Sequence, residues 1–118
     1  LMRRNSLSVL RRSSYSSSAP LKLHHRHLPG PADSPQPPLV LVHGLFGSGT
    51  NFQTVAKRLA SRRHVYLPDL RNHGNSPWDD SFGVVDMAED LVRMLDDANV
   101  EHAVLVGHSL GGKVRGPV

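Results

Sequence analysis

The stretch VLVGHSLGG at residues 104–112 decides the fold, because an apolar strand runs directly into the pattern Gly-x-Ser-x-Gly. The pattern predicts a turn from strand to helix that is too tight for side chains two positions either side of the serine. Gly107 and Gly111 occupy those positions. Ser109 is then expected at the start of a helix, where backbone N–H groups and the helix dipole stabilise negative charge. The N–H of Leu110 is predicted to be one donor to an oxyanion.

The segments that precede this turn alternate between strand and helix patterns. Strands are predicted over residues 39–42, 65–67 and 102–106, each rich in apolar residues. Two helices are predicted between them from apolar residues at helical spacing. The first stripe is Phe52, Val55, Ala56, Leu59 and Ala60 after a Thr50 or Asn51 cap, and the second is Ala88, Leu91, Val92, Leu95 and Ala98. This order predicts an α/β fold, with a parallel sheet, right-handed crossovers and helices on both faces.

Three blocks of sequence carry a family resemblance: LVHGLFGSGTNF, PDLRNHGNSP and VGHSLGGK. Together they resemble the α/β-hydrolase superfamily, and within it the mitochondrial ABHD11-type hydrolases and their bacterial esterase relatives. The resemblance covers residues 38–114, roughly the first half of such a domain. It implies a truncated α/β-hydrolase fold that ends just after the nucleophile elbow, the tight turn around the catalytic serine.

The resemblance also implies a site and a reaction. Ser109 would be the nucleophile, and a His-Gly loop after an early strand would provide the second oxyanion N–H. The best candidate donor there is Leu45, with Phe46 next, and Leu110 completes the oxyanion hole. The implied reaction is hydrolysis of a small-molecule carboxylic ester or thioester. No metal and no organic cofactor are implied.

The chain departs from the family after the serine. In α/β-hydrolases the acid and then the histidine of the triad follow the serine along the chain, but residues 110–118 contain no Asp, Glu or His. The adjacent His108 is not expected to reach the serine oxygen, because successive side chains diverge around the turn. A serine without a base is a weak nucleophile. We therefore expect a catalytically incomplete fragment, and a non-catalytic scaffold or regulatory fragment is the alternative.

A phosphate-binding loop is a more remote alternative. The run GHSLGGKV at residues 107–114 follows a strand and fits Gly-x-x-x-x-Gly-Lys. However, Val114 stands where such a loop has the Ser or Thr whose hydroxyl holds magnesium. A phosphate-binding loop would also leave the His-Gly motif at residues 43–44 without a role.

The N-terminal region differs in charge from the rest of the chain. Residues 1–32 contain six basic residues and no acidic residue, whereas residues 33–118 contain eight basic and ten acidic residues. Residues 1–18 are rich in arginine and serine, which predicts a transit peptide. The density of arginine favours the mitochondrial matrix over the chloroplast as the destination.

Residues 19–37 are predicted to be a proline-rich linker with one candidate strand over residues 21–28, the first and antiparallel strand of the fold. Residues 38–118 are predicted to be the N-terminal half of the hydrolase domain. The three histidines of that strand suggest a metal site, but no cysteine or nearby carboxylate accompanies them, so no metal is predicted. The charge-balanced body predicts no nucleic-acid partner. No run of apolar residues is long enough for a transmembrane helix, and the sequence does not identify a protein partner.

Overall fold

The computed structural model describes residues 18–114 and the backbone of residues 2–3. Its strands are β1 (Met2–Arg3), β2 (His25–Leu28), β3 (Leu39–Val42), β4 (Val65–Pro68) and β5 (His102–Gly107). Its helices are α1 (Gln53–Leu59), preceded by a 3₁₀ turn (Gly49–Phe52), α2 (Val84–Asp97) and α3 (Leu110–Lys113). Within the described residues the strands form one sheet in the order β1-β5-β3-β4-β2.

The centre of the sheet is the parallel trio β5, β3 and β4. Leu39 pairs with Val65 of β4 on one side and with Val104 of β5 on the other. This confirms the predicted strand, helix, strand, helix, strand order with parallel central strands. The two outer strands are antiparallel to their neighbours, β2 to β4 and β1 to β5. The sheet is therefore mixed rather than wholly parallel.

Both faces of β3 are covered, as the continuous apolar run predicts. Val40 and Val42 belong to a core formed with α2, whose inward residues include Met87, Leu91 and Leu95. Alternate residues of a strand point to opposite faces, and Leu39 and Leu41 pack on the other face with Ala56 of α1. The predicted helices on both faces are confirmed.

The observed helix α1 differs in detail from the first predicted helix. Ala56 is buried and Leu59 packs against the core, but Val55 is 45% exposed, so it lies outside the buried stripe. The predicted cap at Thr50 or Asn51 is wrong, because the helical turn already begins at Gly49. The side-chain oxygen of Asn51 instead accepts the Ser48 N–H at 2.7 Å, closing the preceding loop.

The segment before β2 lies against the domain. Leu23 is buried in the core beside α2, and the Leu21 N–H donates to Asp90 Oδ1 at 2.6 Å. The strand itself covers His25–Leu28, shorter than the predicted span of residues 21–28. The preceding residues are thus fixed by side-chain contacts rather than by strand pairing.

Residues 1, 4–17 and 115–118 lie outside the described residues, and with them most of the predicted transit peptide and the last residues of the predicted domain. The backbone of β1 lies antiparallel to the start of β5, with Met2 opposite Ala103. Among the described residues, the helices are too short or too polar to cross a membrane.

Candidate active site

The turn between β5 and α3 holds Ser109 in a strained conformation. Its φ is 53° and its ψ is −115°, a region that residues with side chains rarely adopt. Such backbone costs about 1–3 kcal/mol and is concentrated at functional sites. A side chain on Gly107 would overlap the backbone of Gly111, and one on Gly111 would run into the carbonyl oxygens of Val42 and His43. The tight strand-to-helix turn thus depends on the absence of side chains at both glycines.

The loop after β3 forms a turn beside the serine. The Gly47 N–H donates to the Gly44 carbonyl at 3.0 Å, and Phe46 within this turn has a φ of 63°. A side chain on Gly44 would come within 3.2 Å of Ser109 Cβ, so the loop and the elbow are in close contact. The fold thereby brings together the two motifs that the sequence singled out.

The backbone donors of these two loops differ in their partners. The Phe46 N–H already donates to Nε2 of His73 at 3.1 Å. Within residues 18–114, the N–H groups of Leu45 and Leu110 have no hydrogen-bond acceptor. Two unpaired donors therefore flank Ser109, one from each loop.

A cavity of about 470 Å³ opens over this junction. Its lining residues are His43, Gly44, Leu45, Phe46, Gly47, Asn51, Phe52, His108 and Ser109. Leu45 is 51% exposed and Phe46 is 93% exposed. The serine therefore faces an open space with an apolar rim.

His43 is buried beneath the cavity and its tautomer is fixed by its neighbours. Its Nε2 accepts the Leu70 N–H at 3.0 Å, so the proton is on Nδ1, which donates to the Gly44 carbonyl at 2.7 Å. Burial lowers the pKa of His43 and the nearby His73 lowers it further, while the bond to Gly44 opposes the change. The ring therefore stays neutral and connects the loop after β3 to the loop after β4.

The loop after β4 is organised around the buried carboxylate of Asp69. Its Oδ1 accepts the Gly49 N–H at 2.7 Å and its Oδ2 accepts the Asn75 N–H at 3.0 Å. Burial alone would raise the pKa of Asp69, but these bonds and the contact with His24 lower it overall. Gly74, with a φ of 50°, allows the chain to close over the carboxylate, where a side chain would collide with it. This carboxylate supports the loops and does not face the serine.

A buried ion pair connects the same loop to α2. The Arg71 guanidinium donates through Nε and a terminal nitrogen to both oxygens of Asp90, at 2.7 and 2.8 Å. These bonds raise the pKa of Arg71, which also donates to the Ser81 carbonyl at 2.9 Å. Asp86 and Asp90 of α2 are both buried, although the sequence analysis did not single them out. Their position beside the core residues Met87 and Leu91 is the signal in the sequence that points to this burial.

Other candidate groups are not brought to the serine. His108 is exposed and neighbours Ser109, but within residues 18–114 no side chain hydrogen-bonds to the serine oxygen. Asp97 is exposed and pairs with Arg93 at 3.7 Å on α2, while Asp96 is half-buried. His27 and His64 contact each other at 2.9 Å on the other side of the sheet. In the described part of the chain, no three His, Asp or Glu side chains are grouped to hold a metal ion.

Comparisons with known proteins agree with this geometry. The α/β hydrolase fold family matches residues 37–114. A Xenopus laevis protein named sn-1-specific diacylglycerol lipase ABHD11 is 49% identical over 79 residues, covering 65% of this chain and 25% of that protein. Esterase YbfF of Escherichia coli (strain K12) is 46% identical over 76 residues, covering 64% of this chain and 30% of the esterase.

Solved structures give the same result. A marine microorganism esterase superposes with a TM-score of 0.73 at 41% identity, over 80% of this chain and 34% of that chain. The chain belongs to the α/β-hydrolase family, and its resemblance to the ABHD11-type hydrolases and bacterial esterases is confirmed. It spans about a quarter to a third of the length of these relatives.

Proposed function

We propose that residues 38–114 form the nucleophile-bearing part of a serine hydrolase that cleaves carboxylic esters or thioesters. The observation that carries the proposal is the position of Ser109. It lies exposed at a strained turn, at the start of α3, and the nearby N–H groups of Leu45 and Leu110 have no acceptor among residues 18–114. Relatives named as a lipase and an esterase support the same chemistry.

The proposed reaction follows from this arrangement. The Ser109 oxygen attacks the acyl carbon while a base removes its proton, and the carbonyl oxygen becomes an oxyanion. The N–H groups of Leu45 and Leu110 donate to that oxyanion, while Phe46 is the weaker candidate because its N–H is bonded to His73. Collapse expels the alcohol or thiol, which takes up the proton, and water then releases the acid from the serine.

The base and the acid of this reaction are proposed to come from outside residues 18–114. Within those residues the serine oxygen has no histidine or carboxylate as a hydrogen-bond partner. The relatives are three to four times longer than the segment they share with this chain. The same observation supports the second candidate function, a hydrolase-like scaffold without catalysis.

The geometry of the turn does not favour a phosphate-binding loop. Only His108 and Ser109 separate the end of β5 from the start of α3. A loop that surrounds phosphate groups with backbone N–H donors needs a longer glycine-rich connection. Gly107 and Gly111 are instead packed against each other, which leaves no room for a phosphate between them.

A chimera tests the proposed hydrolase function. Residues 38–114 would replace the matching segment of the Escherichia coli esterase, whose remaining chain would provide the other two triad groups. We expect hydrolysis of a p-nitrophenyl ester, and a loss of about 10⁴-fold or more in kcat with Ser109→Ala. A folded chimera whose activity is absent, or is unchanged by Ser109→Ala, would support the scaffold instead.

We also propose a mitochondrial destination for the chain, from the arginine- and serine-rich composition of residues 1–18. Residues 1–37 fused to a fluorescent protein should co-localise with a matrix marker. Replacing Arg3, Arg4, Arg11 and Arg12 by alanine should abolish this. Accumulation in the chloroplast or cytosol would contradict the proposal.

A further inference from the structure

His73 connects the loop after β4 to the turn at residues 44–47. It is buried, and both ring nitrogens are bonded. Because the Phe46 N–H donates to Nε2 at 3.1 Å, the ring proton must be on Nδ1, where it donates to the Arg71 carbonyl at 2.9 Å. His73 therefore has one bond to its own loop and one to the turn beside the serine.

The turn at residues 44–47 is in a conformation that Phe46 disfavours. A positive φ at the third residue of a turn is the signature of type II, which normally has glycine or asparagine there. A phenylalanine in this region costs about 1–2 kcal/mol. The Phe46 side chain is 93% exposed, so packing of the ring does not offset the cost.

The bond from Phe46 to His73 offsets that strain. Rotation of the peptide between Leu45 and Phe46 would bring the φ of Phe46 back to a favourable negative value. The same rotation would turn the Phe46 N–H away from His73. The buried Nε2 would then lack a donor, which costs about 1–3 kcal/mol. The His73 ring cannot easily follow, because it packs against His43 at 5.0 Å and Phe82 at 5.9 Å between ring centres.

We propose that His73 is a positioning residue for the oxyanion hole. By holding the Phe46 N–H, it keeps the turn in the conformation that leaves the Leu45 N–H unpaired at the cavity beside Ser109. This inference rests on the proposed hydrolase function. It assigns His73 no contact with substrate and no proton transfer.

Two substitutions separate the two bonds of His73. His73→Gln places an oxygen near the position of Nε2 and can still accept the Phe46 N–H, but it loses the bond to Arg71. His73→Asn keeps a donor near the position of Nδ1 for Arg71 and loses the acceptor for Phe46. His64→Gln, at a histidine just before β4 that lies within residues 38–114 and does not line the cavity, is the matched control.

The test has two readouts, the first measured in the 118-residue chain and the second in the chimera, whose remaining chain provides the base. The amide ¹⁵N and ¹H shifts of Phe46 report the turn, and the rate of fluorophosphonate labelling at Ser109 reports the oxyanion hole. Melting temperatures identify any variant that fails to fold. We expect His73→Gln to remain within about threefold of the parent chain in labelling, with a similar Phe46 amide signal. His73→Asn should shift that signal and slow labelling about tenfold to a hundredfold, the usual cost of a small misplacement.

The proposal is overturned if His73→Asn behaves as the parent chain in both readouts, or if His73→Gln has the same effect as His73→Asn. A folded parent chimera that is never labelled would contradict the proposed function. The Phe46 signal in the two variants would still show whether His73 holds the turn.

Discussion

The elbow around Ser109 and the loop after β4 use polar groups in opposite ways. At the elbow, two backbone donors have no acceptor among residues 18–114 and lie near an exposed serine. In the loop after β4, Asp69 and Arg71 are buried and each is bonded several times. Unsatisfied polar groups are costly when buried and useful when a substrate can reach them. The polar groups that support the fold are thus buried and bonded, whereas those of the proposed site are accessible to a substrate.

The largest expected effect is on the elbow itself. Gly111→Ala should destabilise the chain by more than about 5 kcal/mol, because the added methyl group would meet two backbone carbonyls that cannot move independently. Gly112→Ala is the matched control, since the nearest atom would be 3.3 Å away and the residue is exposed. Urea unfolding followed by circular dichroism would measure both. Equal stability of the two variants would show that the elbow is not as tight as described.

A slightly smaller effect is expected in the loop after β4. Asp90→Ala should cost about 3–5 kcal/mol in the free energy of unfolding, because it leaves the buried Arg71 charge unpaired. Asp97→Ala, which removes an exposed pair with Arg93 on the same helix, should cost less than about 1 kcal/mol. If the two substitutions cost the same, the ion pair does not support the fold.

Leu45→Pro separates chemistry from stability. Leu45 is the second residue of its turn, where proline is favoured, and the preceding Gly44 tolerates a following proline. The substitution removes the N–H without disturbing the turn, so kcat of the chimera should fall about 10²–10³-fold. The melting temperature should change little. Unchanged kcat would exclude Leu45 as an oxyanion donor.

The smallest effect is a dependence of stability on pH. Because the pKa of His43 is lowered in the folded chain, the unfolded chain takes up a proton first as the pH falls below about 6.5. Stability is therefore full above that pH and decreases towards the lowered pKa. His43→Gln can keep the bond to Leu70 and should flatten this decline. The pKa of His27 is also lowered, but that side chain is mostly exposed, so His27→Gln should flatten the decline less than His43→Gln. An equal flattening in both variants would remove His43 as the source.

The sequence predicted the central strands and the elbow because their signals are local. A four-residue apolar run and two glycines at fixed spacing are enough to specify β3 and the turn at Ser109. The end of the linker was harder, since Leu23 and Leu21 are fixed by contacts with residues far along the chain. The helical spacing of apolar residues also placed Val55 on the buried face of α1, but that side chain is 45% exposed.

The sequence predicted Ser109 as the centre of the candidate site, but it did not predict the side chains that hold the surrounding loops in place. His43, His73 and Asp69 each bond to a backbone group on another loop, and no sequence spacing specifies these partners. The choice between Leu45 and Phe46 depended on one hydrogen bond from Phe46 to His73. Long-range contacts of single backbone groups leave no periodic pattern in the sequence.

We propose that this chain contributes a reactive serine and its oxyanion donors, and fluorophosphonate treatment of the folded chimera is the decisive experiment. Intact-mass and peptide analysis should find one phosphonate per chain, located on Ser109 and absent from the Ser109→Ala variant. A folded chimera that stays unlabelled, or is labelled at another residue, would exclude this role for the chain.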